Sequence, residues 1–260
     1  MPPRLLRHPP FVVLLTAFAA SAQERPAPSD WTVTVGAGAV ARPSYPGAAS
    51  LRVLPLPLLD VRYRDLFFFN PITGSGMNVI SGPLGRVGFA IRPDFGRSAS
   101  GGDRLRGWGD IGAGADGSVF GAVNLGLVGL LADVHHQFGA GNGTLLGGSV
   151  TSGVPLWRSL FLSATARLTW ADGRYTDSYY GVAQGQAAAA LAFGNSLPTF
   201  SADGGFRDVS LTLTALYRIN KHWSLNAFGQ LGRLLGDAAR SPLTEQRLQT
   251  AFGGFLGYTL

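Results

Sequence analysis

From Trp31 to the end of the chain, apolar and polar residues alternate with a period of two and almost nowhere with the period of a helix. Between Leu160 and Trp170, one face takes Leu160, Leu162, Ala164, Ala166, Leu168 and Trp170, while the other takes Phe161, Ser163, Thr165, Arg167 and Thr169. Successive side chains of a strand point to opposite faces, so the segment reads as a strand with one apolar and one polar face. The pattern recurs from Val209 to Tyr217, with Leu216 as the exception, and from Trp223 to Leu231. It predicts strands at 31–41, 50–63, 66–70, 76–81, 84–95, 108–117, 119–137, 143–154, 159–171, 206–219, 223–235 and 246–260. That makes about twelve. Ten or fourteen are the alternatives, because 66–70 and 76–81 are short and the alanine run within 183–193 reads as a further strand or a short helix.

Such strands build either a soluble sandwich, with the apolar faces inside, or a transmembrane barrel, with those faces toward lipid. Aromatic residues at strand ends (Trp31, Tyr63, Trp170, Tyr217, Trp223) favour the barrel, because girdles of this kind sit at membrane interfaces. The polar faces carry small residues and single arginines, as a watery or plugged lumen requires. The last strand places Phe252, Leu256, Tyr258 and Leu260 on one face, similar to the C-terminal assembly signal of outer-membrane proteins, although a terminal Phe is commoner there than Leu. The expected fold is therefore all-β, a transmembrane antiparallel β-barrel. An even strand count puts both termini on the periplasmic side and the long links 42–49, 96–107, 172–205 and 236–245 outside. Segment 172–205 is too long for a structureless loop and is expected to fold over or into the barrel mouth.

Composition narrows the reading. Arg4 and Arg7, the apolar run from Phe11 to Ala20 and the small residues Ala20-Ser21-Ala22 follow the order of a secretory signal peptide, giving a leader at 1–22 and a barrel at 23–260. No later stretch has 18 apolar residues in a row, as a spanning helix would need. With no Cys, disulfide scaffolds, thiolate metal sites and thiol nucleophiles drop out, and a secreted chain of this kind fits a bacterial envelope. The net charge of +6 comes from scattered arginines, with Lys221 the sole lysine. Without a basic patch, nucleic acid is not an expected partner; anionic lipid, lipopolysaccharide and anionic solutes are.

Particular stretches then carry a resemblance. Residues Trp31 to Gly38, Pro43-Ser44-Tyr45-Pro46-Gly47 and Pro55-Leu56-Pro57 resemble the opening of the MipA/OmpV family of outer-membrane proteins. Leu105 to Asp110, Tyr179-Tyr180-Gly181-Val182 and Ser241-Pro242-Leu243-Thr244 resemble later family stretches, in the same order. The resemblance implies an outer-membrane barrel. It also implies a scaffold role, since one member is described as holding a lytic murein transglycosylase, a murein hydrolase, beside a bifunctional penicillin-binding synthase. Other members are linked to osmotic response or solute uptake. It fixes no catalytic residue and no cofactor.

Candidate chemistry is sparse. His222-Trp223-Ser224 has the His-x-Ser spacing of some outer-membrane lipid hydrolases, but alternation gives Trp223 the lipid face and turns His222 and Ser224 inward, away from acyl chains. Gly112 to Gly117 fits a Gly-x-Gly-x-x-Gly pattern, yet a strand and not a helix follows, so a glycine-rich strand and hairpin is expected. His135 and His136 are adjacent, face opposite sides and do not chelate one metal; their place near a strand end suggests the interface or a loop base. Arg86, Arg92, Arg167 and Arg218 fall on polar faces and should point into the lumen, either paired with acidic groups or forming an anion-attracting constriction. Arg97, Arg104 and Arg106 precede Trp108 in a loop and could meet lipopolysaccharide phosphates. At the short turns, Trp157, Arg158 and Lys221 are the candidate docking residues for a periplasmic protein. The expectation is a monomeric, non-enzymatic scaffold without cofactor or metal in the outer membrane; a narrow channel for small solutes is the alternative.

Overall fold

A computed structural model describes residues 30–99, 103–139 and 141–260. The leader read at 1–22 lies outside the described residues. Twelve strands follow one another around a closed antiparallel barrel. They are β1 (Trp31–Pro43), β2 (Leu51–Tyr63), β3 (Phe67–Asn70), β4 (Gly74–Gly82), β5 (Gly85–Asp94), β6 (Gly114–Asn124), β7 (Val128–Phe138), β8 (Gly143–Pro155), β9 (Leu160–Ala171), β10 (Gly205–Arg218), β11 (Trp223–Leu234) and β12 (Leu248–Thr259). β1 pairs with both β2 and β12, which closes the ring and leaves no free sheet edge.

The two faces are distributed as a bilayer requires. Val53, Phe89, Val119, Leu213 and Phe252 are exposed on the outside, whereas Thr34, Asp60, Asp116, Thr165 and Ser210 are buried on the inside. Each large apolar side chain taken out of water contributes about 1.5–3 kcal/mol, so an outer wall of this kind is stable only against hydrocarbon. The chain is a transmembrane β-barrel that crosses with strands; no described helix is long and apolar enough to cross.

Two predicted strands need correction. Instead of 108–117 and 119–137, the sixth and seventh run over Gly114–Asn124 and Val128–Phe138. The hairpin between them turns at Leu125-Gly126-Leu127, with Gly126 at φ +83° and its N–H donating to Asn124 Oδ1 at 3.2 Å. Two exposed leucines beside a positive-φ glycine disguise that turn as strand interior. Trp108 belongs to no strand; it is buried in the loops.

Long connections gather at one end of the barrel and tight turns at the other. Segment 172–204 folds into α1 (Gly173–Tyr180) and α2 (Gln184–Leu191), so the alanine run is helical and adds no strand. Asp172 starts α1 by accepting the Tyr175 N–H at 2.8 Å, and Gly181 ends it. A third short helix, α3 (Gly236–Arg240), lies in the connection between β11 and β12. The apolar core of the described residues sits among these loops and the strand ends beneath them.

Candidate functional site

The loops form a cap. Tyr175, Tyr179 and Tyr180 of α1 are buried with Leu145, Ala171, Leu234 and Ala238. Tyr175 Oη accepts from Arg207 Nη1 of β10 at 2.8 Å, and Tyr179 Oη donates to Asp94 Oδ2 at the end of β5 at 3.4 Å. β5 and β10 stand five places apart in a ring of twelve, nearly opposite each other. With strands about 4.8 Å apart and tilted by roughly 40°, such a ring is about 24 Å across. At about 1.5 Å per residue the eight residues of α1 span only about 12 Å, and it is the two tyrosine side chains, stacked 4.6 Å apart, that reach both strands.

A second cluster packs four loops together. Tyr45 from the β1–β2 loop meets Leu105 and Trp108 from the β5–β6 loop, Val182 and Ala190 from the β9–β10 segment, and Leu243 from the β11–β12 loop. Hydrogen bonds run between the same loops: Tyr45 Oη to Leu243 O (3.2 Å), Arg104 Nε to Pro242 O (2.8 Å), Ser241 Oγ to Tyr180 O (2.6 Å) and Gln186 Nε2 to Trp108 O (3.2 Å). At Gly107, φ is +92° and a Cβ would come within 2.6 Å of Ala190 Cα, so only glycine lets this loop cross α2. Burial pushes the Tyr45 and Tyr180 hydroxyls well above their ordinary range, as expected of phenols sealed from water. Arg97 reaches into the cap and donates to Tyr179 O at 2.7 Å, and Arg104 is likewise engaged, so neither stands out as a free phosphate ligand.

Beneath the cap, a ladder of charged side chains lines the inner wall from β5 to β9. Arg92 Nη2 donates to Asp116 Oδ2 at 3.0 Å and lies 2.6 Å from His135 Nδ1, which is itself 3.0 Å from Asp116 Oδ1. His135 Nε2 lies 2.5 Å from Asp133 Oδ2, and Arg167 grips Asp133 with both Nη atoms at 2.7 Å. His135 thus lies between two carboxylates and beside the Arg92 guanidinium, with one ring nitrogen on Asp116 and the other on Asp133. Two arginines and this histidine face two aspartates. β8 lies between Asp133 and Arg167, and glycine at position 147 leaves room for the bridge; a Cβ there would stand 1.9 Å from Arg167 Nη2 and 2.5 Å from Asp133 Oδ2, so those side-chain ends would have to shift.

The structure thus brings Arg92 and Arg167 together in one network, while Arg86 is buried on the inner wall of β5 and Arg218 faces inward across from Ser224 near the tight turns. Sequence reasoning missed Asp116 and Asp133 and misplaced His135. Asp133 and His135 are two residues apart and share a strand face, a signal obscured by attention to the adjacent pair His135-His136; Asp116 lay hidden in the glycine-rich stretch. The placing of His135 at an interface or loop base is corrected: it is buried in the lumen, and His136 faces outward, bonded to Thr144 Oγ1 at 3.0 Å. His222 Nδ1 lies 2.9 Å from Thr259 O, its ring stacks on Tyr258, and Ser224 Oγ has no hydrogen-bond partner, so the two do not form a dyad. On the turns, Trp157 is 66% exposed, and Arg158 next to it in the chain and Lys221 on the 219–222 turn are exposed as well.

These features define a class: a twelve-stranded transmembrane barrel with its loop end capped and its upper lumen lined on one side by paired charges. The chain belongs to the MltA-interacting protein MipA family, whose family model matches residues 35–260. No curated protein sequence matches it. Among solved structures it is similar to an outer-membrane channel of Pseudomonas putida F1 (13% identity, 93% of this chain and 98% of that one, TM-score 0.43). The KdgM porin (8%, 87% and 98%, 0.41) and the DcaP channel of Acinetobacter baumannii (8%, 88% and 96%, 0.40) are similar at the same level. At these scores they are distant likenesses and say nothing about transport.

Proposed function

We propose that this barrel is a capped scaffold in the bacterial outer membrane, monomeric and without catalysis, that docks a peptidoglycan-remodelling enzyme on its periplasmic rim. The observation that carries the reading is the cap: the tyrosines of α1 reach both β5 and β10, and four connections pack together over the loop end, an arrangement that favours closure. The exposed tight turns, with Trp157, Arg158 and Lys221, then offer the working surface to the periplasm, where long loops outside leave short turns inside. Trp and Arg are the residue types most enriched at interface hot spots, and the family's own name records an interaction with MltA. Capture of MltA by the purified barrel tests the assignment. Trp157→Ser with Arg158→Ser should weaken capture at least roughly tenfold, about 1.4 kcal/mol, while the lumen change Arg218→Gln leaves it unaltered. Capture that ignores both turn substitutions would sink this surface.

The absence of catalysis has its own check. Ser224 is inward and His222 is engaged elsewhere, so Ser224→Ala should leave phospholipid and lipopolysaccharide acylation unchanged in cells. An acyl-hydrolase activity that disappears with this substitution would overturn the non-enzyme reading. A narrow channel is the second reading, supported by Arg218, which faces the lumen outside the charge ladder. It requires the cap to lift.

A further inference from the structure

The outer wall is not evenly filled. On the lipid face of β8 to β11 lies a hollow of about 530 Å³. Two neighbouring cross-strand rows make it, Ala164–Leu213–Gly229 and Leu162–Ala215–Ala227, each combining small residues with one leucine. The next row toward the tight turns brings Tyr217 beside Leu225, and the next toward the loops brings Leu211 beside Leu231, all exposed outward, so the hollow is bounded above and below. Directly beneath it are the two turns that join these four strands, 156–159 and 219–222, and each carries an exposed cation, Arg158 and Lys221.

We infer that this hollow is a binding site for one phospholipid of the periplasmic leaflet, with an acyl chain in the hollow and the phosphate between Arg158 and Lys221. In a bilayer some hydrocarbon always covers the wall, so burial from water does not select an occupant; close packing does, because an unfilled hollow forfeits dispersion contacts along its lining. The paired cations select the headgroup, since charge-assisted bonds to a phosphate are stronger than any bond to a neutral glycerol. Exposed Trp157, beside Arg158, belongs at the depth where headgroup and chain meet. The inference does not depend on protein docking at the rim. Gly229→Leu fills the hollow without touching either turn, so the two readings fail separately.

Native mass spectrometry of the detergent-purified full chain tests it, with dioleoylphosphatidylglycerol as the probe and dioleoylglycerol, which lacks the phosphate, as the comparison. The wild type should hold one phospholipid and no diacylglycerol. A Cβ at Gly229 meets no atom within 4 Å, so Gly229→Leu should fold, as heat-modifiability reports, and lose retention roughly tenfold. Ala227→Phe repeats the test if that variant fails to fold, and Arg158→Ser with Lys221→Ser should lose retention by removing the phosphate partners. Equal retention of both probes, retention unchanged in Gly229→Leu, no phospholipid on the wild type, or a second copy of the chain in its place would overturn the inference.

Discussion

At the scale of single residues, the account turns on what the inner wall will tolerate. Asp133 is gripped by Arg167 and abuts His135, and the bridge passes over Gly147 because nothing there obstructs it. Asp133→Asn leaves Arg167 facing a partner without charge, and Gly147→Val pushes the two apart sterically. Each should cost about 1–3 kcal/mol in urea unfolding from lipid vesicles followed by tryptophan fluorescence. Because both disrupt one contact, the double variant should cost little more than either alone. Fully additive losses would mean that the two residues do not act through the same bridge. Of this site, the inward direction of Arg92 and Arg167 was legible from alternation alone. Their partners were not, because a register of pairing across four strands is a property of the closed sheet and leaves no trace in any one strand.

At the scale of elements, strand direction and number were legible wherever apolar and polar residues alternate cleanly, as in β9 and β10. The β6–β7 hairpin was displaced because Leu125 and Leu127 look like strand interior, and α2 stayed ambiguous because four successive alanines carry no face. The stretches that resemble the family's words are a different case. Tyr45, Leu105, Trp108, Val182 and Leu243 lie far apart in sequence yet meet in one cluster, so the words that hold them record the cap, while Trp31 to Gly38 and Pro55 to Pro57 lie in the wall on β1 and β2. On β10 the two faces make opposite demands. Leu213 is 57% exposed on the outside and Thr214 points inside. Leu213→Arg should therefore lower folding stability by about 2–4 kcal/mol near the bilayer midplane, with Thr214→Arg affected far less. Equal damage at both positions, measured by heat-modifiability and urea unfolding, would show the register to be reversed.

At the scale of the whole molecule, the barrel has one end covered by packed loops and the other trimmed to tight turns, and its inner wall carries a ladder of oppositely charged side chains. A wall alone does not reveal this asymmetry, since scaffold and channel share the same alternating strands. The central claim is closure, and planar-bilayer recording of the purified protein tests it most directly. The intact chain should show no steady conductance, while a variant with 174–203 replaced by a short Gly-Ser linker, which removes α1 and α2 and frees the mouth, should conduct. A stable open current through the intact chain, unchanged by that replacement, would contradict the account.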